Sequence, residues 1–204
     1  MKPRRQGKSR LIENHELRRI LKIQKDNPKH GLRNSCLVVM SLYLGLRVSE
    51  LANLRIGDVV TEDGQIKGSV DLKKENTKGN KSRPIYLVHP EVIQVLRKYL
   101  DQRKERERNL NPDRPLFKSQ KGDGFSPRSL QRLFKLIYMD AGLDDMVSSH
   151  SGRRTFATNL IESGIDLKTV SFLMGHASIK TTVDVYVEPN PKKMENVSRN
   201  LQIR

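Results

Sequence analysis

Cysteine is almost absent from the chain. Cys36 is the one example in 204 residues, so no disulfide can form within it. Its place inside the apolar run CLVVMSLYLGL (36–46) marks it as a small buried hydrophobe, and a reducing, cytoplasmic setting is expected. No stretch reaches the roughly 18 to 20 apolar residues of a membrane-spanning helix. Run 36–46 is the longest and suits a buried core helix, so no membrane partner is expected. The N-terminus MKPRRQGKSR is basic and lacks the apolar segment of a secretory signal. His15, His30 and His89 form no metal-binding spacing with the other histidines or with acidic clusters, so neither a metal nor another cofactor is expected. Negative charge is also scarce, with 23 Asp and Glu against 39 Lys and Arg, a net charge of +16. An excess of that size points to a polyanion, because clustered cations that neutralise phosphates release condensed counterions. Nucleic acid is the expected partner.

What is present reads as a mainly α fold with a small antiparallel three-stranded sheet. Residues 1–10 form a basic arm, and 11–204 read as a single domain. A helix is expected from Asn14, where Leu17, Ile20 and Leu21 share a face, and a buried one over 33–45, ended by Gly45. A short helix follows from about Ser49. RIGDVV (55–60), QIKGSVDL (65–72) and SRPIYLV (82–88) are short and partly alternating, and are read as the three strands, with a basic hairpin near 74–82. Helical periodicity returns over 91–104. Ser126 followed by Pro127 opens another helix, and more are expected near 150–163, 167–174, 178–186 and 192–201.

Aromatics make up only 5% of the chain, which gives the placement of each tyrosine weight. In GHASIKTTVDVY (175–186), His176 and Tyr186 flank a threonine-rich step. Tyr186 is either an amphipathic anchor for a short helix or a nucleophile with a histidine nearby. SSHSGRRTFATNL places His150 and Arg153 three residues apart at a helix start, on one face, where free backbone amides already favour an anion. Arg47, in LGLRVSEL, follows the buried helix and requires a partner. That partner is either Glu50, through a salt bridge, or a phosphate that the planar guanidinium can hold with two hydrogen bonds.

GLRVSEL, TKGNKSRPIYL, HSGRRTFATNL and LMGHASIKTTVDVY occur in the order and approximate spacing of the tyrosine recombinase (phage integrase) family. Over about residues 11–190 the chain resembles the catalytic domains of Xer-type recombinases and lambda-like integrases. The resemblance implies the catalytic-domain fold of that family, with Arg47 and Arg153 as active-site arginines and Lys78 on the hairpin as the catalytic lysine. It makes His150 the partner of Arg153 in an HxxR pair, His176 the second histidine and Tyr186 the nucleophile. The implied reaction is site-specific cutting and rejoining of DNA strands through a 3′-phosphotyrosyl bond, in integration, excision or inversion, without metal or ATP. The implied partners are double-stranded DNA, three further copies in a homotetramer on that DNA, and accessory DNA-bending proteins.

Two departures stand out. Gly152 occupies the third position of HxxR, where the family usually has leucine, and Lys73, Lys74 and Lys81 flank Lys78. About forty residues precede Arg47, too few for the N-terminal core-binding domain of full-length members, so a stand-alone recombinase or a fragment is expected. A non-cleaving DNA-binding regulator of the same fold and a type IB topoisomerase are the alternatives. The terminal helix, with Met194, Val197 and Leu201 at helical spacing, is expected to dock on its own domain or on a neighbour.

Overall fold

The computed structural model describes residues 9–72 and 82–186, and of the tail Glu195, Ser198 and Arg199. Its centre is α2 (Gly31–Leu44), whose Cys36–Leu42 stretch is buried on every side. A helix apolar all round must be surrounded, and α1 (Asn14–Lys25), α5 (Pro90–Glu107) and α7 (Ser151–Glu162) pack against it. α3 (Val48–Asn53) follows α2 at once and lies against α6 (Pro127–Asp140). Ser126 caps α6 by accepting the Ser129 N–H, and Pro127 fills the first turn, where its missing N–H has no cost. α8 (Leu167–Met174) and α9 (Ile179–Tyr186) complete the described helices and enclose a small second core of Ala157, Val170 and Met174.

The sheet corrects the sequence reading: among the described residues it has two strands, not three. β1 (Ser69–Leu72) pairs antiparallel with β2 (Arg83–Tyr86), in a register that sets Val70 opposite Ile85 and Leu72 opposite Arg83 on the inward face. RIGDVV instead folds into the single-turn helix α4 (Ile56–Val59). Asp58 caps that turn by accepting the Arg55 N–H at 2.8 Å, and the Val60 N–H returns to the Ile56 carbonyl at 3.0 Å. Ile56 and Val59 are both buried three residues apart, which suits one face of a helical turn and not one face of a strand. Two isolated bridges, Val60 to Ile66 and Arg55 to Pro115, are the strand-like pairing that remains in this segment. The other helices expected between Asn14 and Tyr186 form near the bounds read from periodicity. The terminal helix over 192–201 lies outside the described residues, apart from the exposed Glu195, Ser198 and Arg199.

The start of the described chain is bound to α7. The Arg10 N–H donates to the Met146 carbonyl at 3.0 Å, the Ile12 N–H donates to Thr155 Oγ1 at 2.9 Å, and Arg154 donates to the Ser9 carbonyl at 2.6 Å. These bonds tie residues 9–12 to α7 and to the turn before it.

Tyr138, on α6, is 1% exposed, and its hydroxyl has no hydrogen-bond partner among the described residues. A buried orphan hydroxyl costs about 1 kcal/mol or more, which removal of the oxygen recovers. Tyr138→Phe is therefore expected to raise Tm by roughly 2–4 °C in a thermal melt. A lower Tm would show that the hydroxyl is bonded.

Candidate active site

Two helix ends meet to form the site. α2 stops at Gly45 (φ 58°) and α8 stops at Gly175 (φ 57°), both in the left-handed conformation that glycine adopts without strain. Neither position has room for a side chain. A Cβ would lie 2.4 Å from Phe156 at Gly45, and 2.5 Å from Arg83 Cδ at Gly175. Backbone carbonyls are thereby exposed at both ends, and three arginines take them up.

Arg83 donates to the Leu173 carbonyl, Arg153 to that of Met174, and Arg47 to that of Gly175 at 2.8 Å. Three successive carbonyls at the negative end of α8 thus each hold a different guanidinium. At the end of α2, Arg153 donates to the Gly45 carbonyl, and Arg83 approaches the same oxygen at 3.4 Å. One carboxylate completes the cluster. Glu50 Oε1 lies 2.7 Å from Arg47 Nη1, and Glu50 Oε2 lies 2.7 Å from Arg83 Nη2. Three guanidiniums around one carboxylate leave a net positive charge with few places to spread. Glu50 is 1% exposed, Arg83 2% and Arg153 6%.

Tyr186 and His176 stand at the open side. Their rings lie nearly parallel, with centroids 5.9 Å apart. His176 follows Gly175 directly, so the turn that ends α8 delivers it. His176 Nδ1 lies 2.8 Å from the hydroxyl of Thr182, the buried residue of α9, which leaves the other ring nitrogen for the site. Tyr186 ends α9 and is half-buried beside the second core.

Electrostatics follow from this crowding. Burial lowers the Arg153 pKa to about 9, and repulsion from Arg47 and Arg83 adds to the effect. Burial pushes His176 down to about 4, with Arg153, Arg47 and Arg83 acting the same way, so the imidazole is neutral at pH 7. For Glu50, burial alone would raise the pKa, but Arg83 above all, together with the Arg47 N–H and Arg153, holds the carboxyl below the usual range. Burial raises the Tyr186 phenol above its ordinary value, although Arg153 and Arg47 pull it down. The phenol is therefore protonated at neutral pH.

Of the residues expected from the sequence, the structure brings Arg47, Arg153, His176 and Tyr186 together. His150 is the N-cap of α7 and is exposed, one turn before Arg153. Lys78 lies outside the described residues, as do the neighbouring Lys73, Lys74 and Lys81. Gly152 has a physical reason: α7 runs so close to α2 that a Cβ there would lie 2.3 Å from Ser41 Oγ. Arg83 was missed by the sequence reading. The signal was its alternation with Ile85 and Leu87, which puts an arginine on the buried face of a strand, where it requires a partner. Among the described residues, no group of three or more His, Cys, Asp or Glu could hold a metal ion, and no helix is long and apolar enough to cross a membrane.

Comparison with known proteins places this geometry among others. Residues 10–193 match the phage integrase family. The tyrosine recombinase XerC of Chlamydia pneumoniae is 35% identical over 165 residues, covering 80% of this chain and 49% of the relative. XerD of Neisseria meningitidis is 33% identical over 172 residues, covering 84% and 56%. The chain thus spans about half the length of these relatives. A solved structure of the XerH site-specific recombinase, bound to its difH substrate in a pre-cleavage complex, aligns with a TM-score of 0.71 at 25% identity, covering 98% of this chain and 57% of that one.

The depressed His176 pKa sets a pH dependence. The imidazole ordinarily titrates near 6.5 and here near 4, so the unfolded chain takes up a proton before the folded one does. Stability from this source is complete above about 6.5 and is lost as pH falls through about 4. In thermal melts over that range, the Tm of His176→Gln is expected to fall less with acid than that of the wild type. Parallel acid slopes would mean that His176 titrates normally.

Proposed function

The chain belongs to the phage integrase family of tyrosine recombinases, and from that premise we propose that it is a site-specific DNA recombinase that cuts and rejoins strands through a 3′-phosphotyrosyl bond. The observation that carries this reading is the set of guanidiniums gathered at the carbonyl end of α8, beside Tyr186 and a neutral His176.

A scissile phosphate fits the charge left over there. A guanidinium has five N–H donors, and the two side-chain contacts of Arg47 leave others free for the non-bridging oxygens. Arg47 and Arg153 then stabilise the charge that builds on the pentacoordinate phosphorus, with little rearrangement because protein groups already hold them. His176 suits a hydrogen bond to a phosphate oxygen from its second nitrogen. With its pKa near 4 it is a poor base, which leaves His150 to accept the phenol proton. Tyr186 Oη bonds to phosphorus as the bond to the 5′ oxygen breaks, and Lys78 protonates that oxygen. The phosphodiester energy stays in the phosphotyrosyl link, so the reverse attack by a 5′ hydroxyl reseals DNA without ATP, and guanidiniums take the part a metal would play. Residues 11–204 act as the catalytic portion, with the basic arm on the DNA. Exchange between two duplexes calls for four copies, and accessory bending proteins would serve to bring the sites together.

The test uses nicked duplexes with randomised half-sites, incubated with the protein and run on a denaturing gel. Wild type is expected to give a covalent protein–DNA band that Tyr186→Phe abolishes and that Arg153→Ala weakens by about 100-fold or more. A band that survives in Tyr186→Phe would overturn the assignment of the nucleophile, and binding without any band would favour a regulator that does not cut. Relaxation of a plasmid that carries no specific site would favour a topoisomerase. Lys78→Ala is expected to regain much of its rate on DNA with a 5′-bridging sulfur, because a thiolate departs without a proton. Lack of recovery there would reduce Lys78 to a DNA contact.

A further inference from the structure

Arg83 is buried more deeply than either arginine assigned to the phosphate. It opens β2 opposite Leu72, on the inward face of a two-stranded sheet, and only 2% of it is exposed. A lone cation in that position would be very costly, and the structure gives it a full set of partners. Its Nη2 pairs with Glu50 Oε2 at 2.7 Å, its Nη1 donates to the Leu173 carbonyl, and its stem covers Gly175. From one planar group it thus grips α3, the end of α8 and, at 3.4 Å, the Gly45 carbonyl at the end of α2.

Arg47 and Arg83 share the same carboxylate. Glu50 Oε1 holds Arg47 Nη1 at 2.7 Å, and Glu50 Oε2 accepts the Arg47 backbone N–H at 2.7 Å as well as Arg83. If Arg83 were absent, Glu50 would be a buried carboxylate with a single guanidinium in direct contact, that of Arg47. Arg47 would then turn its fork onto both oxygens, as guanidiniums do with a lone carboxylate. The donors needed at the phosphate would be spent inside the protein.

We propose that Arg83 is a positioning residue, which holds Glu50 and the carbonyl end of α8 so that Arg47 and His176 face the scissile phosphate. It touches no substrate itself, because its guanidinium lies beneath the groups that do. Lysine cannot replace it, since one ammonium does not reproduce a planar fork that reaches a carboxylate and two carbonyls at once. The inference rests on the recombinase reading, and its test separates the two.

The variants are Arg83→Lys, Glu50→Gln and the double variant Arg83→Met/Glu50→Gln, which removes both charges of the Arg83–Glu50 pair together should Arg83→Lys fold poorly. Arg83→Lys is expected to bind DNA within about threefold of wild type, since phosphate contacts at the surface set affinity. Its single-turnover cleavage should fall about 100-fold, the scale of a misplaced reacting group, with no recovery on 5′-bridging sulfur. The double variant should lose far less than the product of the two single losses, because much of what Arg83 does passes through that carboxylate. Cleavage by Arg83→Lys within about threefold of wild type, or a double variant that adds the full loss of each change, would overturn the proposal. A second readout does not depend on cleavage: the Arg47 Nε–H signal in an arginine-selective NMR spectrum. It should shift in Arg83→Lys and in the double variant while the backbone spectrum holds, and an unmoved signal overturns the proposal. Should wild type form no covalent band, the recombinase reading fails and the NMR result alone decides the placement of Arg47.

Discussion

A carboxylate shut away from water at Glu50 sets the arrangement around it. It lies 2.7 Å from each of two guanidiniums, and Arg153 also acts on it electrostatically. The exchange is unequal: one negative charge for three positive ones, with the shortfall met by backbone carbonyls of Gly45, Leu173, Met174 and Gly175. Buried ion networks are weak evidence for stability, because the cost of desolvation offsets much of the attraction. Their consequence is geometrical. Removing one member leaves the others charged and buried, so the ends of α2 and α8 and the start of β2 are fixed relative to one another. The site is therefore rigid where rigidity serves charge stabilisation. Tyr186, at the end of α9, adjoins this block next to Arg153 and packs on the small core around Ala157, Val170 and Met174.

Much of this was legible in the residues, and the reasons for the rest are specific. Gly45 and Gly175 end their helices as their neighbours' periodicity suggests, since a left-handed terminal residue favours glycine. Arg47 presented two readings, a salt bridge to Glu50 or a phosphate contact. The salt bridge is formed, and it leaves guanidinium donors over, so the two are not exclusive. RIGDVV misled because it is short and rich in β-branched residues, while the helical spacing of its buried Ile56 and Val59 spans a single turn. The deciding bond, from the Arg55 N–H to Asp58, is a cap that a strand reading gives no reason to look for. Arg83 was missed for a different cause. Its partners come from α2, α3 and α8, dozens of positions away, and local pattern carries no trace of them beyond the demand that an inward-facing arginine be paired.

Gly152 shows how the same close packing shapes the HxxR turn. Leucine in that position would have to share space with Ser41, and the glycine allows α7 to lie directly on α2. This contact brings Arg153 within reach of the Gly45 carbonyl. The departure from the family's usual residue is thus part of how this chain seats its arginine, with Phe156 of the same helix filling the space that a side chain at Gly45 would take.

The free site is under electrostatic tension that an arriving phosphate relieves. Arg153, brought down to about 9 by burial and by its like-charged neighbours, gains a counter-charge when the anion lies beside it, and its affinity for a proton rises again. On the proposed reading, binding of a scissile phosphate would draw part of its free energy from repulsion already present among the guanidiniums. The same anion has the opposite effect on the nucleophile's readiness. The phenol of Tyr186 is already raised by burial, and a negative phosphate beside it makes the phenolate harder still to form. In the proposed reaction, attack would thus depend on proton removal as the bond to phosphorus develops, not on a phenolate standing ready beforehand. On the proposed reading, an anion that fits the arginines but offers no leaving oxygen would leave the phenol intact, so the charge cluster would select the phosphate while proton transfer would time the cut.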